Sequence, residues 1–225
     1  KKEPDETFGV RLRDPVNATI GSPDNAVCTI LDDDPVPSIY IDDTEIEEQT
    51  GSDPTARFDV RLSNPSAYTV RAEYRTYDGA ADRTEDYKHI EGQLVFAEGQ
   101  TSKRLDVLVN GDGMYEYDED FGMDLDRLEN AVPGDVDATC WIRDDDAPPR
   151  LSLRNGSVME GDAGSVDLVV DAVLSEICGR PVGFHWATAE HGATGDDDYE
   201  ECSADAVIPA GGPSVQLRVP VFGDT

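Results

Sequence analysis

The feature of this sequence that most constrains its fold is an internal repeat. The run Asp32–Asp34 recurs as Asp144–Asp146, 112 positions later. Residues 3–12 (EPDETFGVRL) match residues 116–125 (EYDEDFGMDL) at an offset of 113. A repeat of this length indicates tandem copies of one domain of about 110 residues.

The phase of the repeat predicts how the chain divides. Residues 35–146 hold one complete domain, residues 1–34 match the C-terminal strands of a domain, and residues 147–225 match the N-terminal strands of another. The two partial segments are complementary parts of one domain. We therefore expect neighbouring copies of the repeat or subunit to associate head to tail. A covalent array or donation of residues 1–34 between subunits would satisfy this.

Apolar and polar side chains alternate along short runs, which is the pattern of a half-buried strand. Phe58, Val60 and Leu62, for example, are separated by Asp59 and Arg61. Seven such runs occur in the complete domain, separated by turns rich in Gly, Pro, Asn and Asp: 38–42, 55–63, 68–77, 90–96, 102–110, 119–127 and 136–143. Seven short strands in about 110 residues predict an all-β fold of tandem immunoglobulin-like, seven-stranded β-sandwiches.

Two cysteines are predicted to be buried core thiols. Cys28 and Cys140 occupy the same inward-facing strand position of the repeat, where a small apolar side chain is needed. Trp141 then points to the opposite face and is predicted to be exposed. Its counterpart in the repeat is the polar Thr29, so any contact that Trp141 makes belongs to one domain of the pair.

The chain is strongly acidic, with 49 Asp and Glu against 18 Lys and Arg and a net charge of -31. This charge repels nucleic acid and anionic membranes and attracts cations. An acidic, lysine-poor surface is also typical of proteins from salt-loving organisms, so the charge alone leaves both interpretations open. No apolar run approaches the roughly 18 residues of a membrane span, and membrane insertion is not expected.

Carboxylates concentrate at the ends of the predicted strands. In an antiparallel sandwich alternate strand ends lie at the same pole, so we expect these side chains to meet there. Crowded carboxylates repel one another unless water or a cation separates them. Oxygen donors without His or Cys select a hard cation, and six to eight flexible oxygens suit calcium. A merely solvated acidic surface is the alternative.

The motifs at these positions resemble the Calx-beta family. They are YRTYDGAADRTEDY (74–87), GQLVFAEGQTSKRLDVLVNGD (92–112), YEYDEDF (115–121) and IRDDD (142–146). The resemblance implies calcium bound at one end of an immunoglobulin-like sandwich. It assigns as ligands Glu48, Asp86, Asp112, Glu116, Asp144, Asp145 and Asp146. In the other copy it assigns Glu160, Asp198, Asp224, Glu3, Asp32, Asp33 and Asp34. Family members often carry a further acid where this chain has Gly111 and Gly223, which favours two or fewer ions.

The sequence favours a binding protein over an enzyme. His185 and His191 flank an acidic loop without a partnered nucleophile, and no nucleotide-binding or metalloprotease motif is present. We expect an extracellular structural or adhesive protein in which calcium rigidifies the joints between domains. The short linkers at 35–37 and 147–149 contain prolines and are semi-rigid. The alternative is a calcium-sensing regulatory segment of a transporter such as a sodium/calcium exchanger, which the family resemblance favours.

Two further features would accompany secretion. Asn17 and Asn155 begin N-glycosylation acceptor tripeptides in predicted loops. A disulfide between Cys178 and Cys202, which have no counterparts in the complete domain, would favour an oxidising compartment.

Overall fold

Sixteen β-strands form the secondary structure of the chain in a computed structural model that describes residues 1–225. The strands are β1 (Glu6–Arg11), β2 (Asn25–Ile30), β3 (Ser38–Ile41), β4 (Thr44–Glu47), β5 (Thr55–Leu62), β6 (Val70–Asp78), β7 (Glu91–Phe96), β8 (Ser102–Leu108), β9 (Glu119–Glu129), β10 (Val132–Pro133), β11 (Asp137–Arg143), β12 (Leu151–Leu153), β13 (Ser165–Leu174), β14 (Val182–Ala187), β15 (Ser203–Ile208) and β16 (Ser214–Phe222). No helix is long and apolar enough to span a membrane.

The chain forms two compact units. The first contains Lys1–Ile46, Pro54–Asn110 and Glu119–Ile142. The second contains Glu47–Asp53, Gly111–Asp118 and Arg143–Thr225. The loop after β4, the loop between β8 and β9 and the residues that follow β11 therefore belong to the second unit.

Strands β3 to β11 form a β-sandwich, called here the complete sandwich, which lies in the first unit apart from the end residues of β4 and β11. Its sheets have the strand orders β10-β3-β5-β8 and β4-β11-β9-β6-β7. Their inner faces share one hydrophobic core. At its centre the rings of Phe121 and Tyr87 stack at 4.1 Å, and Phe58 meets Phe121 edge-on at 6.0 Å. The all-β, immunoglobulin-like prediction is confirmed.

The strand pattern of the complete sandwich follows from sequence alternation. Along β5, residues at every second position are buried, including Phe58 and Val60, while Asp59 and Arg61 are exposed. All seven predicted runs correspond to strands. The structure adds β4 and β10, which the sequence did not reveal because β4 has four residues, mostly polar, and β10 has only two.

Strands β1 and β2 form a separate two-stranded sheet in the first unit, called here the ribbon. Phe8 pairs with Cys28, just as Phe121 pairs with Cys140 between β9 and β11. Cys140 is fully buried, whereas Cys28 is only half-buried. The prediction of a buried Cys28 was wrong because the inner face of the ribbon, unlike that of β9 and β11, is largely exposed.

Residues 147–225 form two smaller sheets in the second unit, β12-β13-β16 and β14-β15. They repeat β3, β5 and β8 and then β6 and β7, and we call them the half-sandwich. Cys178 and Cys202 are both free thiols, so the disulfide considered between them is not formed in this structure. Cys178 is buried with its Sγ against the carbonyl of Tyr115, whereas Cys202 Sγ faces the carbonyl of Glu200.

Trp141 and the predicted glycosylation sites lie at the surface. Trp141 is 42% exposed beside the fully buried Cys140, as the alternation predicts. Asn17 and Asn155 are exposed in loops. Their exposure makes the acceptor tripeptides accessible but does not test whether they carry sugars.

Candidate metal centre

Three carboxylates lie close together in the second unit. One oxygen from each of Glu48, Asp112 and Glu116 lies within 4.8 Å of the other two. Glu48 directly follows β4, and the other two lie in the loop between β8 and β9. Strand ends therefore bring together acids that are far apart in the sequence.

Glu48 is the most enclosed member of this group, with 9% of its surface exposed. Burial, and after it the negative charge of Asp112, raise the pKa of Glu48 to about 7, although a backbone hydrogen bond from Asp112 opposes the shift. Glu116 and Asp144 add smaller repulsions. A cation at this point would remove both the repulsion and the proton.

The aspartate triplet after β11 ties the loops around the group together. Asp144 Oδ1 accepts a hydrogen bond from the Glu116 amide at 3.1 Å. Asp145 Oδ1 accepts one from the Gln49 amide at 3.2 Å. Asp146 Oδ1 accepts one from the Thr50 hydroxyl. These bonds hold Glu116 and the 49–50 loop against the residues that follow β11.

Two oxygens of the triplet have properties that fit a cation ligand. Asp146 Oδ2 is buried without a hydrogen-bond partner. The Asp144 side chain is 5% exposed, and burial raises its pKa although the Glu116 amide and Arg180 oppose the shift. Buried carboxylate oxygens are costly unless they are hydrogen-bonded or bind a cation.

Gly111 allows the loop that carries Asp112 to approach the 48–53 loop closely. A Cβ at this position would overlap the carbonyl oxygens of Gln49 and Ser52 and come within 2.6 Å of that of Glu48. The repeat has the same feature, since a Cβ at Gly223 would lie 2.8 Å from the carbonyl oxygen of Glu160. Close backbone approach thus explains why these positions carry no acid.

Arg180 places a fixed cation beside the acids, and the sequence did not predict it. Its guanidinium lies 4.1 Å from the ring centroid of Tyr115 and 4.4 Å from that of Tyr117. It donates to the Glu116 carbonyl and lies 3.7 Å from Asp144 Oδ2. The sequence signal for such a binding position is the pair Tyr115 and Tyr117, because side chains two positions apart face the same side of an extended chain.

A backbone hydrogen bond next to Arg180 has an equivalent in the first unit. Gly179 N donates to the Tyr115 carbonyl at 3.1 Å, and Ala67 N donates to the Lys2 carbonyl at 2.7 Å at the matching positions. Here the cation is Lys2 itself, whose Nζ lies 2.6 Å from Asp32 Oδ2 and lowers the pKa of that carboxyl. At both places a basic side chain therefore accompanies the first aspartate of the triplet.

Asp86 and Asp198, also assigned as ligands, both close a turn. Asp86 Oδ2 accepts a hydrogen bond from the Asp82 amide, and Asp198 Oδ2 accepts one from the Thr194 amide, each at 2.6 Å. Asp86 belongs to the first unit. The structure gives these carboxylates a defined local role beside the predicted one.

The second predicted set of ligands is divided between the units. Glu160, Asp198 and Asp224 belong to the second unit, and Glu160 and Asp224 are exposed. Glu3 and the triplet Asp32–Asp34 belong to the first. Within the second unit, Glu160 and Asp224 are not part of a three-carboxylate group like that of Glu48.

A separate polar group lies on the half-sandwich. His185 Nδ1 lies 2.8 Å from Asp205 Oδ1, and its Nε2 lies 3.1 Å from Ser203 Oγ. The connections are those of a hydrolase triad, but the His185 and Asp205 side chains are 61% and 88% exposed on an open sheet surface. Without a cavity to exclude water and hold a substrate, this arrangement does not define an active site.

The fold and the donor set together define a class of protein. It is a β-sandwich protein in which loops at strand ends gather carboxylates, with no His or Cys in the group, as a hard-cation site requires. The family profile of the Calx-beta domain matches residues 32–146 and 144–225. The chain belongs to the Calx-beta domain family.

Curated relatives match this chain over a small part of their own length. The chain is 28% identical over 108 residues to sodium/calcium exchanger 1 of Bos taurus, which is 48% of this chain and 11% of that protein. It is 42% identical over 68 residues to sodium/calcium exchanger 2 of Homo sapiens, which is 30% of this chain and 7% of that protein. The chain thus spans about a tenth of the length of the curated relatives it matches.

Solved structures of Calx domains are also similar. The apo-form Calx CBD1 domain is 26% identical and aligns over 50% of this chain and 100% of its own, with a TM-score of 0.43. The calcium binding domain CBD12 of CALX1.1 is 24% identical and aligns over 80% of this chain and 74% of its own, with a TM-score of 0.43.

Proposed function

We propose that this chain is a calcium-binding regulatory module of a larger protein, and that it binds calcium through Glu48, Asp112 and Glu116. The observation that carries the proposal is the approach of these three carboxylates to within 4.8 Å around the enclosed Glu48. Three like charges at this separation destabilise a fold unless a cation or protons compensate them.

The aspartate triplet would complete the ligand set. Asp144 and Asp146 bring buried carboxylate oxygens from the end of β11, and Asp146 Oδ2 has no other partner. When bound, calcium would supply the positive charge that offsets the repulsion. Asp145 and Thr50 fasten the two loops, so their hydrogen bonds keep the carboxylates converged.

The contacts of Arg180 support a regulatory role. Arg180 comes from the half-sandwich, whereas Glu116 and Asp144 lie in the loops that carry the acids. A change of charge at Asp144 alters its attraction to Arg180, so metal occupancy and the position of this arginine are linked. Such a link lets a binding event be communicated along the chain.

Calcium sensing is better supported than extracellular adhesion. The relatives are sodium/calcium exchangers, which favours the transporter-segment alternative. Neither the comparisons nor the free thiols of Cys178 and Cys202 support an extracellular, glycosylated filament. We therefore assign the chain to calcium-dependent regulation of the protein that contains it, with binding rather than catalysis as its activity.

Isothermal titration calorimetry with calcium tests the proposal. The 225-residue chain should bind calcium in preference to magnesium, because the site offers several flexible carboxylates. E116Q and D112N should each weaken binding at least about tenfold, or about 1.4 kcal/mol. D106N is the matched control, since Asp106 is an exposed residue within β8 and the substitution changes the charge equally. Unaltered calcium binding in E116Q and D112N would refute the assignment.

A further inference from the structure

We propose that the outer face of β6, β9 and β11, which is turned away from the core, is a docking surface for a basic polypeptide segment. The segment binds by placing an arginine guanidinium over the ring of Tyr77. All three strands lie side by side in one sheet of the complete sandwich. Three observations support this surface: the position of Tyr77, the carboxylates around it, and two places where the chain itself combines arginine with tyrosine.

Tyr77 lies flat on the outer face of its sheet. It pairs with Gly122 of β9, where an added Cβ would overlap the Tyr77 ring. The Tyr77 hydroxyl donates a hydrogen bond to Asp137 Oδ1 on β11 at 2.8 Å. The side chain therefore reaches from β6 across β9 to β11. One face of the ring covers Gly122, which is buried, while Tyr77 itself remains 37% exposed.

Carboxylates surround this ring. Asp120 and Asp124 lie two positions to either side of Gly122 on β9, so they face the same side of the sheet. Burial raises the pKa of Tyr77 to about 12, and the hydrogen bond to Asp137 and the charges of Asp137, Asp124 and Asp120 add to the shift. Asp124 is paired with an arginine, whereas Asp120 and Asp137 have no basic partner. The surroundings of the ring therefore favour a cation.

The other sheet contains the same combination with an arginine in place. Tyr40 of β3 packs against Gly134, where an added Cβ would lie 2.5 Å from the ring carbon Cε1. The Arg61 guanidinium lies 5.5 Å from the centroid of the Tyr40 ring and pairs with Asp42. A tyrosine on a glycine, an arginine over the ring and an aspartate beside it thus form one group of contacts.

A second arginine is bound in a similar way, since the Arg180 guanidinium lies 4.1 Å from the centroid of the Tyr115 ring. At Tyr77 the glycine, the ring and the carboxylates are all present, but no guanidinium of this chain lies over the ring. Arg75, two positions away on β6, is held by both oxygens of Asp124. The Tyr77 surface therefore fits a guanidinium supplied by another molecule.

The chemistry of the surface favours arginine over other cations. A guanidinium is planar, so it stacks on a ring while its N–H groups donate to carboxylates at the edge of that ring, here Asp120 and Asp137. A single guanidinium on an exposed ring binds weakly, so the occupant must bring further contacts. Trp141, 42% exposed on the same face of β11, offers one of them. The net charge of -31 attracts a basic segment to the chain.

Nuclear magnetic resonance of the isotope-labelled 225-residue chain tests the docking. The probe is a capped peptide in which arginine alternates with glycine, and the reference peptide has lysine in place of arginine. At about 0.15 M salt, which screens non-specific attraction, the arginine peptide should shift the amide signals of Tyr77, Gly122 and Thr139 saturably. The lysine peptide should bind at least about threefold more weakly.

Two tyrosine variants test the ring. Y77L leaves the charge unchanged and should weaken binding of the arginine peptide at least about fivefold. Y40L is the matched control, because Tyr40 also packs on a glycine but already lies beneath Arg61, and it should bind like the wild type. Melting temperatures show whether both variants keep the complete sandwich. The map of shifted signals in the wild type locates the surface even where Y77L does not fold.

Charge variants test the surrounding acids. D137N should weaken binding more than D106N, although each removes one exposed aspartate charge and Asp106 lies on the other sheet. E116Q should bind the peptide like the wild type, which separates this surface from the carboxylates around Glu48. Shifts spread over the whole acidic surface, equal binding of the two peptides, or equal affinities of Y77L and Y40L would overturn the docking surface.

Discussion

At the residue scale, burial and neighbouring negative charges together make the ionised form of Glu48 unfavourable unless a cation binds beside it. Glu48 directly follows β4 and is 9% exposed, and its carboxylate lies close to the acids of the loop after β8. Neither effect alone is unusual, but together they move its pKa from 4.5 to about 7.

The shift predicts a pH dependence of stability in the metal-free protein. Because the folded state holds the Glu48 proton more tightly, its stabilising contribution is complete below the unfolded value of 4.5 and is lost as the pH rises through about 7. The melting temperature of metal-free wild type should therefore fall relative to that of E48Q over this range. Thermal melts of both proteins in chelator at several pH values check this, and parallel curves would contradict it.

Gly111 gives a second prediction at this scale. G111A should weaken calcium binding at least about tenfold, or about 1.4 kcal/mol, because the added Cβ meets rigid backbone carbonyls and must displace Asp112. G113A is the control, since its Cβ would meet only the Thr50 methyl carbon at 3.3 Å. Calorimetry of both variants measures the difference. Equal affinities would show that the loops separate without moving the carboxylates.

At the scale of elements, β1 and β2 are near-copies of β9 and β11 in a different environment. The same alternation and the same pairing produce a fully buried face in one place and an exposed face in the other. The difference lies in what packs against each pair of strands, which local sequence does not specify.

Truncation of the equivalent phenylalanines measures this difference. F121A should lower the free energy of unfolding of the complete sandwich by about 3–5 kcal/mol, because it removes a fully buried ring that stacks on Tyr87. F8A removes the same atoms from a ring that is 53% exposed and should cost well under half as much. Urea unfolding of both variants compares the two losses. Similar losses would mean that the ribbon is buried in solution.

At the scale of the whole molecule, net charge sets the conditions for folding. A chain with a charge of -31 repels itself in the compact state, and the group around Glu48 brings three carboxylates within 4.8 Å of one another, with Glu48 itself buried. A ligand that binds only the native state stabilises it by mass action.

Calcium should therefore raise the melting temperature and chelation should lower it. At a free calcium concentration of about 100 times Kd, the expected gain is about 2.7 kcal/mol in the free energy of unfolding. Differential scanning calorimetry of the wild type with calcium or chelator measures it, and E116Q is the control in which the gain should largely disappear. A melting temperature that is the same with calcium and with chelator would indicate that the acids form only a solvated surface.

The sequence by itself determined the repeat, the strand periodicity and the family. Each is recorded in residues that are adjacent or evenly spaced, so the seven principal strands and the outward position of Trp141 could be predicted from local pattern. The convergence of acids at one pole could also be predicted, because strand direction alternates in an antiparallel sheet.

Only the tertiary structure decided which acids meet and what surrounds them. It placed Glu48, Asp112 and Glu116 together, used Asp86 Oδ2 in a turn, and brought Arg180 to the loops that hold the acids. These contacts join residues far apart in the chain, and their distances depend on how loops pack across several strands. Such packing is a property of the folded chain as a whole, so no local pattern records it.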